Sequence, residues 1–237
     1  MDDYCDVLKN LTGVTLSSQQ IDAFQVFEDA LCDWNKIVNL TAIRDRKDIR
    51  IKHFLDSLTC LSALGEIRGL KLIDIGTGAG FPGLPIRICE PEVKVTLADS
   101  VGKKLEFCRL IIEKLQLTNM TTLHARAEDL GQSFDHREKY DRATARAVAS
   151  MPILVEFLLP LLKVGGKAVI QKGENGPAEM QAAENAIRIL GGELELIIPV
   201  KLPGVPDDRF LITIRKIAST PKLYPRRAGV PTSKPLL

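Results

Sequence analysis

The 237 residues are 45% hydrophobic and 26% charged, which excludes a disordered chain and leaves room for one large α/β domain, alone or with a smaller appendage. No uninterrupted apolar run approaches the ~18 residues of a membrane helix. The opening M-D-D-Y-C-D-V lacks the order of a signal peptide, so a cytoplasmic protein without membrane contact is expected. The net charge of +2 conceals an asymmetry: seven basic residues (Arg209, Arg215, Lys216, Lys222, Arg226, Arg227, Lys234) and no acidic one occur from Arg209 onward, a bias that suits a polyanion partner.

Between Ser18 and Val38, residues Ile21, Phe24, Phe27, Leu31, Trp34 and Ile37 or Val38 fall at helical spacing behind a Ser-Ser start able to cap the helix. Trp34 lies on the apolar face, which favours core packing over base stacking. A second helix is predicted over Lys47–Leu64, with Ile51, Phe54, Leu55, Leu58 and Leu61 on one face and Gly65 or Gly69 closing it. His53 and Asp56, one turn apart, could approach a cleft, although such a pair more commonly closes a helix-to-core contact. These elements predict a helical appendage over residues 1–68.

From Leu70 the texture changes to short β-branched runs alternating with helical patterns, the mark of βαβ units. Strands are predicted at Lys71–Ile75, Lys94–Ala98, Met120–His124, Tyr140–Thr144, Lys167–Gln171, Glu193–Val200 and Phe210–Arg215. Helices are predicted near Pro82–Cys89, Gly102–Leu117, Ser150–Lys163 and Gly176–Leu190. The fold class is therefore α/β: a Rossmann-like, seven-stranded, mostly parallel sheet over residues 69–217, its last pair antiparallel about the loop Pro199 to Asp208. In the tail, 218–237, Pro221, Pro225, Pro231 and Pro235 argue against regular helix or central strand. It should wrap a surface or stay mobile, its cations facing phosphate.

Five widely spaced cysteines (Cys5, Cys32, Cys60, Cys89, Cys108) form no C-x-x-C pair, and read as reduced thiols without a metal.

The segment L-K-L-I-D-I-G-T-G-A-G-F-P-G-L-P, Leu70 to Pro85, reads as a strand ending on Asp74 and entering a glycine loop. Gly78-Ala79-Gly80-Phe81-Pro82-Gly83 is a literal G-x-G-x-x-G with Asp99 21 residues beyond Gly78, so a dinucleotide is one reading. Two details favour S-adenosylmethionine, and a third, Asp99, is neutral. Asp74 would repel a pyrophosphate but can orient the loop and receive a cationic methionyl end, directly or through water. Phe81 and Pro82 occupy the place where a pyrophosphate wants free helix-terminal N–H groups, and proline has none. Asp99 can accept hydrogen bonds from two ribose hydroxyls, which suits either cofactor.

The strings D-I-G-T-G-A-G-F-P-G-L-P (Asp74–Pro85), N-L-T-A-I (Asn39–Ile43), H-F-L-D-S-L (His53–Leu58), T-A-R-A-V-A (Thr144–Ala149) and Y-P-R-R-A-G-V-P (Tyr224–Pro231) together resemble the bacterial small-subunit (16S) ribosomal RNA guanine-N7 methyltransferase family, formerly glucose-inhibited division protein B. The resemblance implies a class I S-adenosylmethionine-dependent methyltransferase whose cofactor contacts Gly76, Gly78, Phe81, Asp99, Ser100, Ala127, Glu128 and Arg146. It also implies 16S rRNA or the small ribosomal subunit as partner. A monomer is expected.

Guanine N7 carries a free lone pair and no proton, so methyl transfer to it is an in-line displacement that needs no general base, and positioning dominates. The chain accordingly has no Asn/Asp-Pro-Pro-aromatic stretch for amine methylation and no Pro-Cys nucleophile. The acceptor-side candidates are Arg146, whose fork could hold a guanine edge, an RNA phosphate or the methionine carboxylate, and Lys172, which could face RNA. The bland alternatives are an ion pair of Arg146 with Asp141 or Glu128, and a solvated lysine. An NAD(P)-dependent oxidoreductase and a non-catalytic RNA-binding protein of the same fold are the competing functions.

Overall fold

A computed structural model describes residues 2–237 of the protein; Met1, where the expected appendage begins, lies outside the described residues. Helix α1 (Asp2–Thr12) is not anticipated by the sequence. It brings a fully buried side chain, Leu8, so it depends on docking more than on its own periodicity. Helix α2 (Ser18–Trp34) starts on a reciprocal capping box in which Ser17 and Gln20 bond each other's backbone N–H. It stops short of Val38 because the buried Asn35 side chain turns the chain, accepting from the N–H groups of Leu40 and Thr41 and donating to the Thr41 carbonyl.

The predicted second helix is a continuous helical run: α3 (Arg46–Ile49), a π-helical stretch Arg50–Leu55, and α4 (Asp56–Leu64). Single π turns inside helices recur at functional sites, and this one carries His53 toward the sheet.

Seven strands follow: β1 (Lys71–Ile75), β2 (Lys94–Asp99), β3 (Met120–His124), β4 (Tyr140–Arg146), β5 (Leu162–Lys172), β6 (Gly192–Val200) and β7 (Arg209–Lys216). They form one sheet in the order β3-β2-β1-β4-β5-β7-β6, with β7 antiparallel to both neighbours and the rest parallel. Helices α5 (Gly83–Cys89), α6 (Gly102–Lys114), α7 (Ala127–Gln132), α8 (Met151–Leu158), α9 (Gly176–Ala182) and α10 (Glu184–Ile189) cover the two faces. Helix α8 ends earlier than the pattern predicts, because the 3₁₀ turn Leu159–Leu161 contains Pro160 and Leu162 already pairs with β4. The single helix expected over Gly176–Leu190 is two, separated at Ala183 by a 3₁₀-type bond to the Met180 carbonyl.

Strand alternation sends Leu72, Leu97 and Val169 to one face, where they share a core with Leu8, Phe24, Phe27, Phe54 and Leu58 of the N-terminal helices. Ile73, Ala143 and Ile170 point to the other face, against Leu154, Leu158 and Ile187. The N-terminal helices thus supply one of three layers, and fully burying each of their phenylalanines is worth about 2–3 kcal/mol. All five cysteines are free. Burial raises the thiols of Cys60, Cys89 and Cys108 far above their ordinary range, so they behave as packing groups.

The tail departs from one expectation and takes the first branch of another, wrapping a surface. It includes a helical turn, α11 (Val230–Ser233), with Pro231 in its first turn, where the missing N–H costs nothing. It is also pinned: Arg137 donates to the carbonyls of Thr220, Pro221 and Tyr224, and Arg226 grips the fully buried Glu156 through its backbone N–H, Nε and Nη2. Four of the seven C-terminal cations are consequently paired within the fold: Arg209 with Asp56, Arg215 with Glu195, Lys216 with Glu138 and Arg226 with Glu156. Lys222, Arg227 and Lys234 are exposed.

Candidate functional site

The glycine loop leaves β1 at Asp74, which is fully buried. One carboxylate oxygen accepts from the Thr77 hydroxyl at 2.6 Å and from the Gly83 N–H at 2.9 Å, and the other lies 3.3 Å from the Thr144 hydroxyl. Burial pushes this carboxyl up to about 6, while the bonds from Thr77 and Gly83 hold it down. With no exposed surface, Asp74 cannot receive a cofactor directly; it fixes the loop from beneath. Two glycines are sterically required there. A Cβ on Gly83 would sit 2.4 Å from Leu97 and 2.9 Å from Asp74 Oδ2, and one on Gly76, at φ +66°, would sit 2.5 Å from Val148.

Asp99 ends β2 at 6% exposure. Its Oδ2 accepts from the Gly78 N–H at 2.9 Å and its Oδ1 from the Val101 N–H at 2.8 Å. Each oxygen keeps a second lone pair, and the carboxylate borders a cleft of about 200 Å³ that also meets Gly76, Ser100, Ala127 and Glu128. Five predicted cofactor contacts therefore converge, with Gly78 bonded to one of them. The tail adds two unforeseen members, Gly229 and Thr232, held by the Gly229 N–H donated to Glu128 Oε1 at 3.1 Å. The only sequence signal for them is the string Tyr224–Pro231.

Phe81 is elsewhere. At 4% exposure it stacks between Phe27 (5.3 Å, 10°) and His53 (4.6 Å, 13°), so its side chain ties the loop to the helical layer.

Arg146 and Lys172 meet in a second cavity of about 250 Å³, beside the first across Ala147 and Val148 and shared with Asp56, Gln171, Arg209 and Phe210. Ala147 takes the left-handed conformation, φ 54°, a strained geometry for a residue with a Cβ that is retained where the chain must turn sharply. Lys172 Nζ is held by the Ala149 carbonyl at 2.5 Å and Glu179 at 2.7 Å, so it is neither solvated nor free to swing.

Arg146 pairs with neither Asp141 nor Glu128. Its Nη1 donates to Asp56 Oδ2 and the Lys52 carbonyl, both at 3.0 Å, its Nη2 meets His53 Nδ1 at 3.1 Å, and its guanidinium lies 5.0 Å from the Phe81 ring centre. An arginine only donates, so His53 Nδ1 carries the lone pair and Nε2–H faces the Thr41 hydroxyl at 2.8 Å. Burial, then Arg146, lowers His53 to about 3, and the ring is neutral at any working pH. Asp56 therefore reaches the cleft wall, while His53 packs against Phe81 behind it, and the two together orient Arg146.

An unfolded chain binds a proton at His53 below about pH 6.5 that the folded one refuses until about 3, so stability present above 6.5 is lost as the pH falls through that window. Measured by denaturant titration from pH 7 to 4, His53→Gln is expected to show a flatter acid limb than the parent protein.

The strand order, the carboxylates at the ends of β1 and β2 and a ligand cleft on the carboxyl rim of a parallel sheet define the Rossmann-like fold of class I S-adenosylmethionine-dependent methyltransferases. The fold is shared with a precorrin-6y C5,15-methyltransferase from Geobacter metallireducens (TM-score 0.53, 20% identity, 68% of this chain and 87% of that one). It is shared likewise with M. jannaschii TYW2 in complex with AdoMet (TM-score 0.53, 15% identity, 65% and 73%).

Residues 20–203 match the family model described as rRNA small subunit methyltransferase G, and the chain belongs to that family. Among its relatives are the ribosomal RNA small subunit methyltransferases G of Desulforamulus reducens, 47% identical over 93% of this chain and 92% of that one, and of Bacillus subtilis, 45% identical over 94% of each. No group of three or more His, Cys, Asp or Glu side chains placed to hold a metal ion occurs among the described residues. None of the described helices is long and apolar enough to cross a membrane.

Proposed function

We propose that the protein uses S-adenosylmethionine to methylate N7 of a guanine in small-subunit (16S) ribosomal RNA, in the cytoplasm and as a monomer. The observation that carries the reading is the pair of adjoining cavities. One is lined by Asp99, Ser100, Ala127 and Glu128, the other by Arg146 and Lys172, and they are separated by the Arg146–Val148 turn.

The residues of the first cavity fit the cofactor. Asp99 offers a lone pair on each oxygen to the ribose hydroxyls, Ala127 and Glu128 flank the adenine, and the backbone of Gly76 and Gly78 receives the methionyl end. A pyrophosphate fits poorly, because the Gly83 N–H that begins α5 is already bonded to Asp74. The cofactor, when bound, supplies an electrophilic methyl group. The chain's contribution is placement: Arg146, locked by Asp56, His53 and Phe81, and Lys172, locked by Glu179, present fixed cations to the acceptor RNA. Rigid placement of this kind accounts for up to ~7–11 kcal/mol in well-oriented reactions. No side chain is required to remove a proton, which is consistent with a neutral, fully bonded His53 behind Arg146.

The test is mass spectrometry of small-subunit rRNA from cells with and without the gene. One 7-methylguanosine should vanish on deletion and return on complementation; an unchanged modification profile would overturn the reading. S-adenosylhomocysteine, and not NAD, is expected to raise Tm, because only a ligand of the folded state stabilises it. The reverse preference would favour the oxidoreductase.

A further inference from the structure

The second cavity contains a buried acceptor that the fold does not use. Gln171 follows Ile170 at the end of β5, beside Arg146 in the register with β4, and is 7% exposed. Its Nε2 donates to the Asp56 carbonyl at 2.8 Å, which fixes the orientation of the amide, since a carbonyl can bond only the NH₂ end. Oε1 consequently faces the other way, and it is buried with no hydrogen-bond partner among the described residues. In the same cavity Arg209, whose Nη1 lies 3.6 Å from Asp56 Oδ1, keeps a buried Nε–H that is likewise unpartnered among the described residues. An unmet buried polar atom costs about 1–3 kcal/mol. A fold that retains two in one cavity is arranged for a ligand that satisfies both.

We propose that Gln171 is a base-recognition residue, its Oε1 accepting from the N1–H and 2-amino edge of the acceptor guanine while Arg209 Nε and the neighbouring cations face the O6 edge. The proposal rests on the rRNA-methylation reading and deepens it by naming how the base is chosen. Guanine offers an acceptor at O6, which matches the donor-only surfaces of Arg146, Lys172 and Arg209 while the N7 lone pair stays free for the methyl group, and donors at N1 and the 2-amino group, which match Oε1. Adenine reverses the pattern: it has a lone pair at N1, no 2-amino group, and a donor in place of O6. Sites built to bond a substrate NH reject analogues lacking it far better than apolar pockets reject a missing methylene, because their buried groups are then left unpaired.

The experiment compares wild type, Gln171→Met and Gln171→Glu on small subunits reconstituted with guanosine or inosine at the target position, inosine lacking only the 2-amino group. Wild type should lose about tenfold or more in kcat/KM on inosine. Gln171→Met should show a comparable loss on guanosine and little further loss on inosine, with S-adenosylhomocysteine binding unchanged. Gln171→Glu, which keeps acceptor oxygens but cannot donate to Asp56, should retain the preference for guanosine and so separates recognition from packing. A Gln171→Met or Gln171→Glu protein that binds S-adenosylhomocysteine normally yet discriminates against the wrong pattern, Met as strongly as wild type or Glu not at all, overturns the assignment. A wild type that places no methyl on the guanosine subunits overturns the functional reading itself, and a wild type equally active on both bases overturns only the role of Gln171.

Discussion

Deleting residues 218–237 is expected to weaken cofactor binding and lower Tm, with a comparatively small effect on the salt dependence of RNA binding. The tail's cations invite the opposite expectation, but Arg226 is engaged by Glu156, which is fully buried on α8. Removing one partner of a buried ion pair leaves an uncompensated charge and costs about 3–5 kcal/mol, which for a chain of this size lowers Tm by about 10 °C. The same deletion removes Gly229 and Thr232 from the cleft proposed to hold the cofactor and frees Glu128 from the Gly229 N–H. The dissociation constant for S-adenosylhomocysteine should therefore rise. Only Lys222, Arg227 and Lys234 remain exposed. If all three met phosphates, the slope of log affinity against log salt would change by no more than about 3. Calorimetric titration and filter binding across a salt series decide the matter: an unchanged cofactor affinity with a much flatter salt slope would show the tail to be an RNA arm. Arg226→Met paired with Glu156→Leu provides the control, since an apolar pair in place of a buried ion pair is often neutral and should recover much of the Tm lost in Arg226→Met alone.

Asp99→Ala is expected to abolish measurable cofactor binding while leaving the protein folded. On the proposed reading Asp99 has two roles at once: its oxygens hold the Gly78 and Val101 N–H groups, and their remaining lone pairs are left to the ribose hydroxyls in the cleft that Asp99 lines. Hydrogen bonds to a charged group are worth about 1.5–3 kcal/mol each, so two lost hydroxyl contacts alone amount to about a hundredfold or more in affinity. The fold should survive because the loop keeps its second tether, Asp74, with bonds from Thr77 and Gly83. Asp99→Asn, which retains one acceptor oxygen, should fall between the two. Circular dichroism together with titration of S-adenosylhomocysteine checks both halves; full binding by the alanine variant would remove Asp99 from the site.

The contrast between the two carboxylates shows how far the chain's pattern reaches. Both stand at strand ends in the sequence, and both are cofactor candidates there. Only the packed structure separates them, burying Asp74 completely under Leu97 and the Gly83 turn while leaving Asp99 on the cleft rim. Phe81 makes the same point: its place in the loop is evident from the sequence, but its ring lies in a stack with Phe27 and His53, residues that meet it only when the helical layer closes on the sheet.

What the sequence determined by itself was local and periodic. Hydrophobic alternation and β-branched runs located all seven strands, and glycine spacing located the turn that leaves β1, because these signals arise from backbone geometry within a few residues. The tertiary structure alone decided which distant groups meet: Arg146 with Asp56 and His53, Gln171 with the Asp56 carbonyl, Arg226 with Glu156, and the tail with the cofactor cleft. These partners lie 70 to 115 residues apart in the chain, and no period or spacing encodes them. They are selected by burial, which makes an unpaired charge or amide costly enough that the fold must bring it a partner or keep it for a ligand.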